Sequence, residues 1–387
     1  YSHTYLVHTI SRASPLSKES PEQNYRGFFN LAMLLLAVSN LRLAIENYMK
    51  YGFLLSLPLQ SVDGGDLGWA FVSFAWQLVP LVLAFVIESS SARTLHSTGI
   101  LHFINISLCL VIPILISWFK ISHPFISSLP ISTSCVLFLK LISYALVNSD
   151  LRCEKALNIS PPRVEEPSAR HAPPLKESQG AGEVEDDAGD GGMVDVAYPG
   201  NVQFGNLVYF VFAPTLSYQA SYPRTKRFRR SFFLKRLMEA SVGLAALYFL
   251  AAQYAAPTLH NSITALENLE FFRLVERVLK LSVISVVMWL LFFWVFFHCW
   301  LNMLAEAMRF GDRRFYLTWW NAKDIGTYWR LWNTPVYNWG KRHIYLPMIV
   351  NHGISPFVAN FAVFFVSAVL HEVLIGVPTH CLNGWAF

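Results

Sequence analysis

The 387-residue chain is 54% hydrophobic and only 14% charged, whereas a soluble globular protein carries roughly 25% charged residues. Aromatic residues make up 15% of the chain, with 30 Phe and 12 Trp, and one water-soluble core cannot enclose that much apolar surface. Lipid is therefore the expected solvent for much of the surface. The five cysteines have no paired spacing and no CxxC motif, which argues against a disulfide framework or a zinc site.

Seven apolar runs approach the roughly 20 residues that cross a bilayer as a helix. The fifth is interrupted by Gly, Gln and Pro257, and a shorter run over residues 207–218 is broken by Pro214. That shorter run predicts a re-entrant or interfacial segment. The pattern as a whole predicts an all-α polytopic membrane protein with about seven spans. The predicted spans are residues 29–50, 67–88, 99–119, 126–147, 238–256, 278–302 and 354–376.

Basic residues set the expected orientation, because cytosolic loops carry an excess of Lys and Arg. Residues 224–236 hold seven basic side chains, and residues 303–353 hold seven more, which favours a cytosolic N-terminus and a cytosolic 303–353 connection. Residues 157–200 are rich in Pro, Gly, Ala and acidic residues, a composition typical of a disordered linker. The predicted division is a cytosolic segment 1–28, N-terminal spans 29–156, an acidic linker 157–200 and a core 201–387.

Three features carry candidate chemistry. His371 and Glu372 lie deep in the last apolar run, where ionisable residues are costly and usually line a cavity or react; the alternative is a histidine that only holds helices together. A neutral buried imidazole can take a proton from a hydroxyl. The loop 310–345 interleaves five Trp and four Tyr with basic residues and Asn. It is either an interfacial aromatic belt or a surface that stacks a nucleotide ring and holds phosphates.

The third feature is the basic cluster 224–236, which fits anionic lipid headgroups or, as a second option, attraction of an anionic cosubstrate. The sequence has no HExxH, P-loop or GxSxG motif, and no metal or nucleic-acid partner is predicted.

The string FYLTWWN at residues 315–321 resembles the FYxDWWN motif of the membrane-bound O-acyltransferase (MBOAT) family, in the branch of diacylglycerol and sterol acyltransferases. The strings FGDRRFY, WNTPVYNW and RHIYLPM look most like the type 1 diacylglycerol enzymes. The similarity runs from about residue 24 to the end, apart from the linker. It implies an MBOAT-type helical bundle with about seven spans present here and the C-terminal spans missing.

The resemblance also implies roles for single residues. His371 matches the family's catalytic histidine in the membrane, Asn333 the asparagine paired with it, and Glu372 a residue that shapes the acceptor pocket, with Ser367 one helical turn before His371. The motif residues are Phe315, Tyr316, Trp319, Trp320 and Asn321. The expected acyl-CoA contacts are Trp319, Asn321, Trp329, Arg330, Tyr337, Arg342 and Tyr345.

Two residues depart from the family pattern: Thr318 replaces the usual Asp of the motif, and Tyr337 replaces a His. The expected reaction is acyl transfer from acyl-CoA, a substrate and not a cofactor, to the hydroxyl of diacylglycerol, with His371 as general base. Alternatives are acylation of a sterol or long-chain alcohol, a transporter, and a non-catalytic family member. Relatives imply a homo-oligomer in the endoplasmic reticulum membrane.

Overall fold

The computed structural model describes residues 6–8, 10–17, 20, 25–32, 34, 35, 38, 63–94, 98–157, 196–251, 255–268, 270–384 and 386. These residues form helices joined by loops, and no strand occurs among them. Most of the first predicted span, 29–50, and most of the predicted linker, 157–200, lie outside the described residues.

The helices are numbered here in chain order. They are α1 (Gly64–Thr94), α2 (Gly99–Lys120), α3 (Pro124–Ala156), α4 (Phe204–Phe212), α5 (Arg230–Leu250), α6 (Ala256–Glu267), α7 (Phe271–Ala307), α8 (Ile325–Trp332), α9 (Thr334–Gly340), α10 (Leu346–Val350) and α11 (Pro356–Thr379). Helix α7 contains a π-helical segment, Trp294–Trp300, and a second π-helical segment, Lys341–Tyr345, joins α9 to α10.

In the described part of the chain, five helices are long and apolar enough to cross a membrane: α1, α2, α3, α7 and α11. They confirm the expectation of an all-α polytopic membrane protein and coincide with five of the seven predicted spans. The predicted fifth span, 238–256, falls largely on α5, which is not among the five. Its first two turns carry several charged residues, and Pro257 lies in the first turn of the separate helix α6, where a proline is tolerated.

Helices α1, α2 and α3 pack together through polar contacts as well as apolar ones. The side chain of Asn105 on α2 donates to the carbonyl of Pro80 on α1 at 2.9 Å. Gln77 on α1 donates to the carbonyl of Pro130 on α3 at 3.2 Å. Within lipid, each such bond satisfies a backbone acceptor that water cannot reach.

Helix α4 is the predicted short segment, and it lies against α3 inside the protein. Leu207 and Phe210 are fully buried, whereas Phe204 and Phe212 at its two ends are exposed. It ends at Phe212, before Pro214. The ammonium group of Lys140 on α3 donates to the carbonyls of Phe210, Val211 and Ala213 at 2.8, 2.8 and 2.7 Å. A buried cation thus caps the negative end of the α4 dipole, and all three ammonium protons are used.

The segment before residue 18 lies against the residues that follow α7. His8 contacts Asp312 through Nδ1 at 2.8 Å and Thr215 through Nε2 at 2.6 Å. The backbone of Arg12 exchanges hydrogen bonds with Gly311 and Arg313 at 3.1 and 3.0 Å. The N-terminal segment and the start of the 303–353 connection are therefore in direct contact.

Replacing Lys140 by Met should lower the thermal stability of the purified protein. Three buried carbonyls would lose their donor, and an unsatisfied buried polar group costs about 1–3 kcal/mol. We expect the unfolding midpoint in detergent to fall by at least about 2–4 °C. The control is Lys120→Met, because Lys120 is exposed and lies over the ring of Trp69. An unchanged midpoint for Lys140→Met would contradict the capping role.

Candidate functional site

The FYLTWWN motif packs into the core of the protein, although Trp319 and Asn321 within it are predicted to contact acyl-CoA. Phe315 and Tyr316 are fully buried and Trp319 is nearly so. The Tyr316 hydroxyl lies 2.7 Å from Nδ1 of His298, in the π-helical segment of α7, and 3.0 Å from Oγ of Ser14. The motif therefore fixes the start of the loop to α7 and to the N-terminal segment.

The indole rings of the motif pack edge to face with their neighbours. Trp319 makes such contacts with Trp289 and Phe293 on α7 and with Trp332 on α8, at centroid separations of 5.8, 5.3 and 5.1 Å. Aromatic pairs in this geometry add about 0.5–1.5 kcal/mol each beyond burial. The structure thus gives Trp319 a packing role, while its predicted contact with acyl-CoA stays a prediction.

Asn321 and Trp320 face the N-terminal segment. The Asn321 side-chain oxygen accepts from the backbone N–H of Gly27 at 2.9 Å, and the Phe28 ring lies 4.2 Å from that of Trp320. A Cβ on Gly27 would lie 2.0 Å from the carbonyl oxygen of Trp320, so only glycine permits this approach. The predicted acyl-CoA contact of Asn321 is likewise untested.

Two of the residues predicted to contact acyl-CoA lie on the exposed surface of helix α8. Trp329 and Arg330 are both exposed, and the Trp329 ring meets that of Phe364 on α11 edge to face at 5.8 Å. Phe364 lies seven residues before His371, which is two helical turns and therefore the same face of α11. The aromatic loop and the histidine-bearing helix face are thus in contact through this pair.

Asn333 lies at the junction of α8 and α9. Its side-chain oxygen accepts from the backbone N–H of Val336 at 3.3 Å and caps α9. Because the oxygen serves the helix, the Nδ2 amide is the donor that Asn333 can offer to a substrate. The residue is half-buried, and its predicted pairing with His371 stays a prediction.

The segment after Asn333 is bound to α3. The indole N–H of Trp339 donates to the carbonyl of Leu139 at 2.9 Å, and Nε2 of His343 lies 2.7 Å from Oγ of Ser143, one turn later on α3. Arg342 is fully buried and donates to the carbonyl of Tyr218 at 2.9 Å. Arg342 therefore makes a structural hydrogen bond, whereas the sequence predicted only a contact with acyl-CoA.

Tyr337 and Tyr345 are half-buried on the same segment. Burial raises the pKa of Tyr337 above its ordinary value, although the nearby charge of Arg330 opposes that rise. The phenol is therefore protonated at neutral pH and can donate a hydrogen bond to an anionic group.

His371 is exposed on α11, and a hydrogen bond assigns its tautomer. Its Nδ1 lies 2.7 Å from the backbone carbonyl oxygen of Ser367 and 3.4 Å from the Ser367 hydroxyl. A carbonyl oxygen can only accept, so Nδ1 carries the proton in the neutral ring and Nε2 carries the lone pair. This hydrogen bond to the backbone of Ser367, one helical turn earlier, holds the imidazole ring of His371 in one orientation.

Glu372 points to the residues that follow α11. Its two carboxylate oxygens accept from the backbone N–H groups of Gly384 and Ala386 at 2.9 and 3.3 Å. Gly376 lies beside this carboxylate, and a Cβ there would meet the carbonyl of Cys381 at 2.9 Å. Glu372 therefore shapes this end of α11 by fixing the segment after it.

No group of three or more His, Cys, Asp or Glu side chains that could hold a metal ion occurs in the described part of the chain.

Asp324 should control the stability of α8. Its carboxylate accepts from the backbone N–H and the hydroxyl of Thr327, both at 2.7 Å, and the backbone bond lowers its pKa. A lowered folded-state pKa means that the stabilisation is complete above the ordinary Asp value of about 4 and is lost as the pH falls through the lower folded value.

At neutral pH we therefore expect Asp324→Ala to expose Lys323 and Arg330 to faster trypsin cleavage. Asp324→Asn retains an acceptor at the cap and should be cut at close to the wild-type rate. Equal cleavage rates for Asp324→Ala and wild type would show that this cap does not hold α8.

The chain is similar to proteins of a known family. The family model for MBOAT, the membrane-bound O-acyltransferase family, matches residues 94–382. Diacylglycerol O-acyltransferase 1A of Glycine max is 37% identical over 98% of this chain and 72% of the relative. Diacylglycerol O-acyltransferase 1 of Bos taurus is 36% identical over 97% of this chain and 74% of the relative, and that of Homo sapiens is 35% identical over 97% and 73%. The chain belongs to the membrane-bound O-acyltransferase family, as its motifs predicted.

Proposed function

We propose that this chain transfers a fatty acyl group from acyl-CoA to the free hydroxyl of diacylglycerol, giving triacylglycerol and CoA. The supporting comparisons are relatives named diacylglycerol O-acyltransferase that match nearly the whole chain and the family match over residues 94–382. The observation that carries the chemistry is the bond from Nδ1 of His371 to the Ser367 carbonyl at 2.7 Å, because it leaves the basic nitrogen as Nε2.

The proposed step is direct and balanced. Nε2 of His371 takes the proton of the acceptor hydroxyl while that oxygen attacks the thioester carbonyl carbon. The C–S bond breaks, and the imidazolium returns its proton to the departing thiolate. Acyl-CoA is a substrate here, and the step uses neither a cofactor nor a metal.

Asn333 is proposed to stabilise the charge that develops on the thioester oxygen. Its oxygen is oriented by Val336, so its amide N–H₂ is held in one direction as a fixed donor. A preorganised donor of this kind stabilises a developing oxyanion at little reorganisation cost. Glu372 and Ser367 are proposed to shape the acceptor side of the same helix.

The aromatic loop is proposed to hold the CoA part of the donor. Trp329 and Arg330 are exposed, and Trp329 also touches the face of α11 that carries His371. A stacking ring and a cation side by side suit a nucleotide and its phosphates. Tyr337 and Tyr345 are proposed as further contacts along this path, and Trp319, Asn321 and Arg342 as residues that fix its shape.

The protein is a multi-pass membrane protein. We propose that it resides in the endoplasmic reticulum membrane as a homo-oligomer, on the basis of family resemblance, with its N-terminus in the cytosol. The contacts of His8 and Arg12 with residues 311–313 support the orientation, because they put the N-terminal segment beside the basic 303–353 connection.

A transporter would need charged groups along a continuous path through the spans. The buried charges of the described spans have fixed partners instead. Glu88 accepts from Arg152 and from Tyr198 at 3.2 Å each, and Lys140 caps α4. A non-catalytic family member is the other alternative, suggested by Thr318. In the structure the Thr318 carbonyl accepts from Asn321 at 3.0 Å, a backbone role that any residue can fill.

Replacing His371 by Ala should remove acyl transfer. General-base catalysis contributes about 10²–10⁴-fold, so we expect the turnover number to fall by at least about 100-fold in membranes supplied with labelled acyl-CoA and diacylglycerol. The matched control is His380→Ala on the residue that ends the same helix. His380 is exposed, contacts the Trp118 carbonyl at 3.1 Å and packs against the Trp118 ring at 5.1 Å. Wild-type turnover in His371→Ala would exclude the assigned base.

The identity of the acceptor needs a direct competition. Diacylglycerol and a sterol, both offered at equal concentration in the same vesicles, should yield mainly triacylglycerol, because the whole chain matches diacylglycerol enzymes. The FYLTWWN motif is shared with the sterol enzymes, so it does not by itself exclude a sterol. Preferential formation of steryl ester would favour that second candidate and leave the role of His371 intact.

A further inference from the structure

The loop before α5 exposes a group of cations. Arg224, Lys226 and Arg230 are all exposed, and none of them forms an ion pair within the described ranges of the chain. Their neighbours differ: Arg229 pairs with Glu306 at 3.0 Å and Arg236 pairs with Glu239 at 2.6 Å. The basic cluster therefore divides into cations held in ion pairs and exposed cations without an ion pair in the described ranges, of which Arg224 also lies 4.1 Å from the centroid of the Tyr209 ring.

The backbone that carries these exposed cations is fixed. The guanidinium of Arg309 donates to the carbonyl of Thr225 at 2.9 and 2.8 Å and to that of Lys226 at 2.6 Å. The N–H of Thr225 donates back to the carbonyl of Arg309 at 3.0 Å. Because the loop is held at several points, a ligand that binds its side chains does not have to order the backbone, which favours binding.

The same surface continues into an apolar stripe on α5. Leu234, Met238 and Val242 are 55%, 68% and 68% exposed, and they follow Arg230 at intervals of four residues, which places all four on one helix face. Arg230 lies about 6 Å below Leu234 at 1.5 Å per residue. Phe228, just before the helix, is 43% exposed. A helix that passes from water through the headgroups into hydrocarbon typically presents cations first, then an aromatic ring and then apolar side chains.

We infer that this surface, formed by Arg224, Lys226, Phe228 and Arg230 with the stripe above them, is a binding site for an anionic phospholipid. The headgroup phosphate would lie on the three cations, and an acyl chain would run along the Leu234–Met238–Val242 stripe. The apolar stripe decides between a lipid and a soluble anion, because only a lipid satisfies both halves of the surface. This inference concerns a lipid that is not consumed and does not depend on the proposed acyl transfer.

The test is a lipid titration of the purified protein in detergent, read as thermal stability. Dioleoylphosphatidylserine should raise the unfolding midpoint more than dioleoylphosphatidylcholine at 0.1 M salt, and the difference should shrink at 0.5 M salt because the contacts are ionic and partly exposed. In the triple variant Arg224→Gln, Lys226→Gln, Arg230→Gln, the apparent affinity for phosphatidylserine should fall by about tenfold or more.

Two matched variants make the result decisive. The variant Lys120→Gln, Arg273→Gln, Arg277→Gln removes the same charge elsewhere, from the ends of α2 and α7, and should keep the phosphatidylserine response. The variant Arg224→Lys, Arg230→Lys keeps the charge and should retain most of the affinity. Three outcomes would overturn the site: equal stabilisation by both lipids, an equal loss in the control triple variant, or a charge-dependent stabilisation by soluble CoA that phosphatidylserine does not reproduce.

Discussion

The burial of the aromatic motif against α7 is the contact on which the candidate site depends. Tyr316 and Trp319 pack on Phe293, and the Tyr316 hydroxyl is bound to His298 inside the π-helical segment. A π-helical segment widens the helix by one residue per turn, and such segments are frequent at functional positions. Here it presents His298 inward at the level where the loop begins. Once this end of the loop is fixed, α8 follows with Trp332 stacked on Trp289 at 4.4 Å, and Trp329 is brought to α11.

A second constraint is the cost of polar groups in an apolar interior. The described spans contain buried charges, and each has partners that satisfy it: Lys140 on the end of α4, Glu88 between Arg152 and Tyr198, and Glu306 with Arg229 and Arg313. Removing one partner would leave an uncompensated charge, which is strongly destabilising. Lys140 with α4, Glu88 with Arg152, and Glu306 with Arg229 also join elements that are distant in sequence, so they fix the relative positions of these elements.

The sequence predicted the spans from length and composition, since a run of about 20 apolar residues is a local signal. It also identified the family, because the motif around Trp319 and Trp320 is a contiguous string. It did not reveal that Lys140 caps a helix 70 residues away, nor that His8 binds Asp312, because a pairing across such a separation leaves no periodic trace. Trp319 and Asn321 of the motif were expected to contact acyl-CoA, but an indole ring suits a core as well as a ligand, and only packing distinguishes the two. Their substrate contacts, like the catalytic roles of His371 and Asn333, remain predictions.

In the proposed site, the donor side is held by hydrogen bonds to another helix, and the acceptor histidine by a hydrogen bond within its own helix. The donor side is aromatic and basic, and it is anchored to α3 through Trp339 and His343, which are rigid contacts in the described core. The acceptor side is a single apolar helix whose histidine is oriented by its own backbone, through the carbonyl of Ser367. Because that bond is internal to α11, it places the proton on Nδ1 without a group from another helix. Nε2 is therefore the basic nitrogen in the proposed acyl transfer.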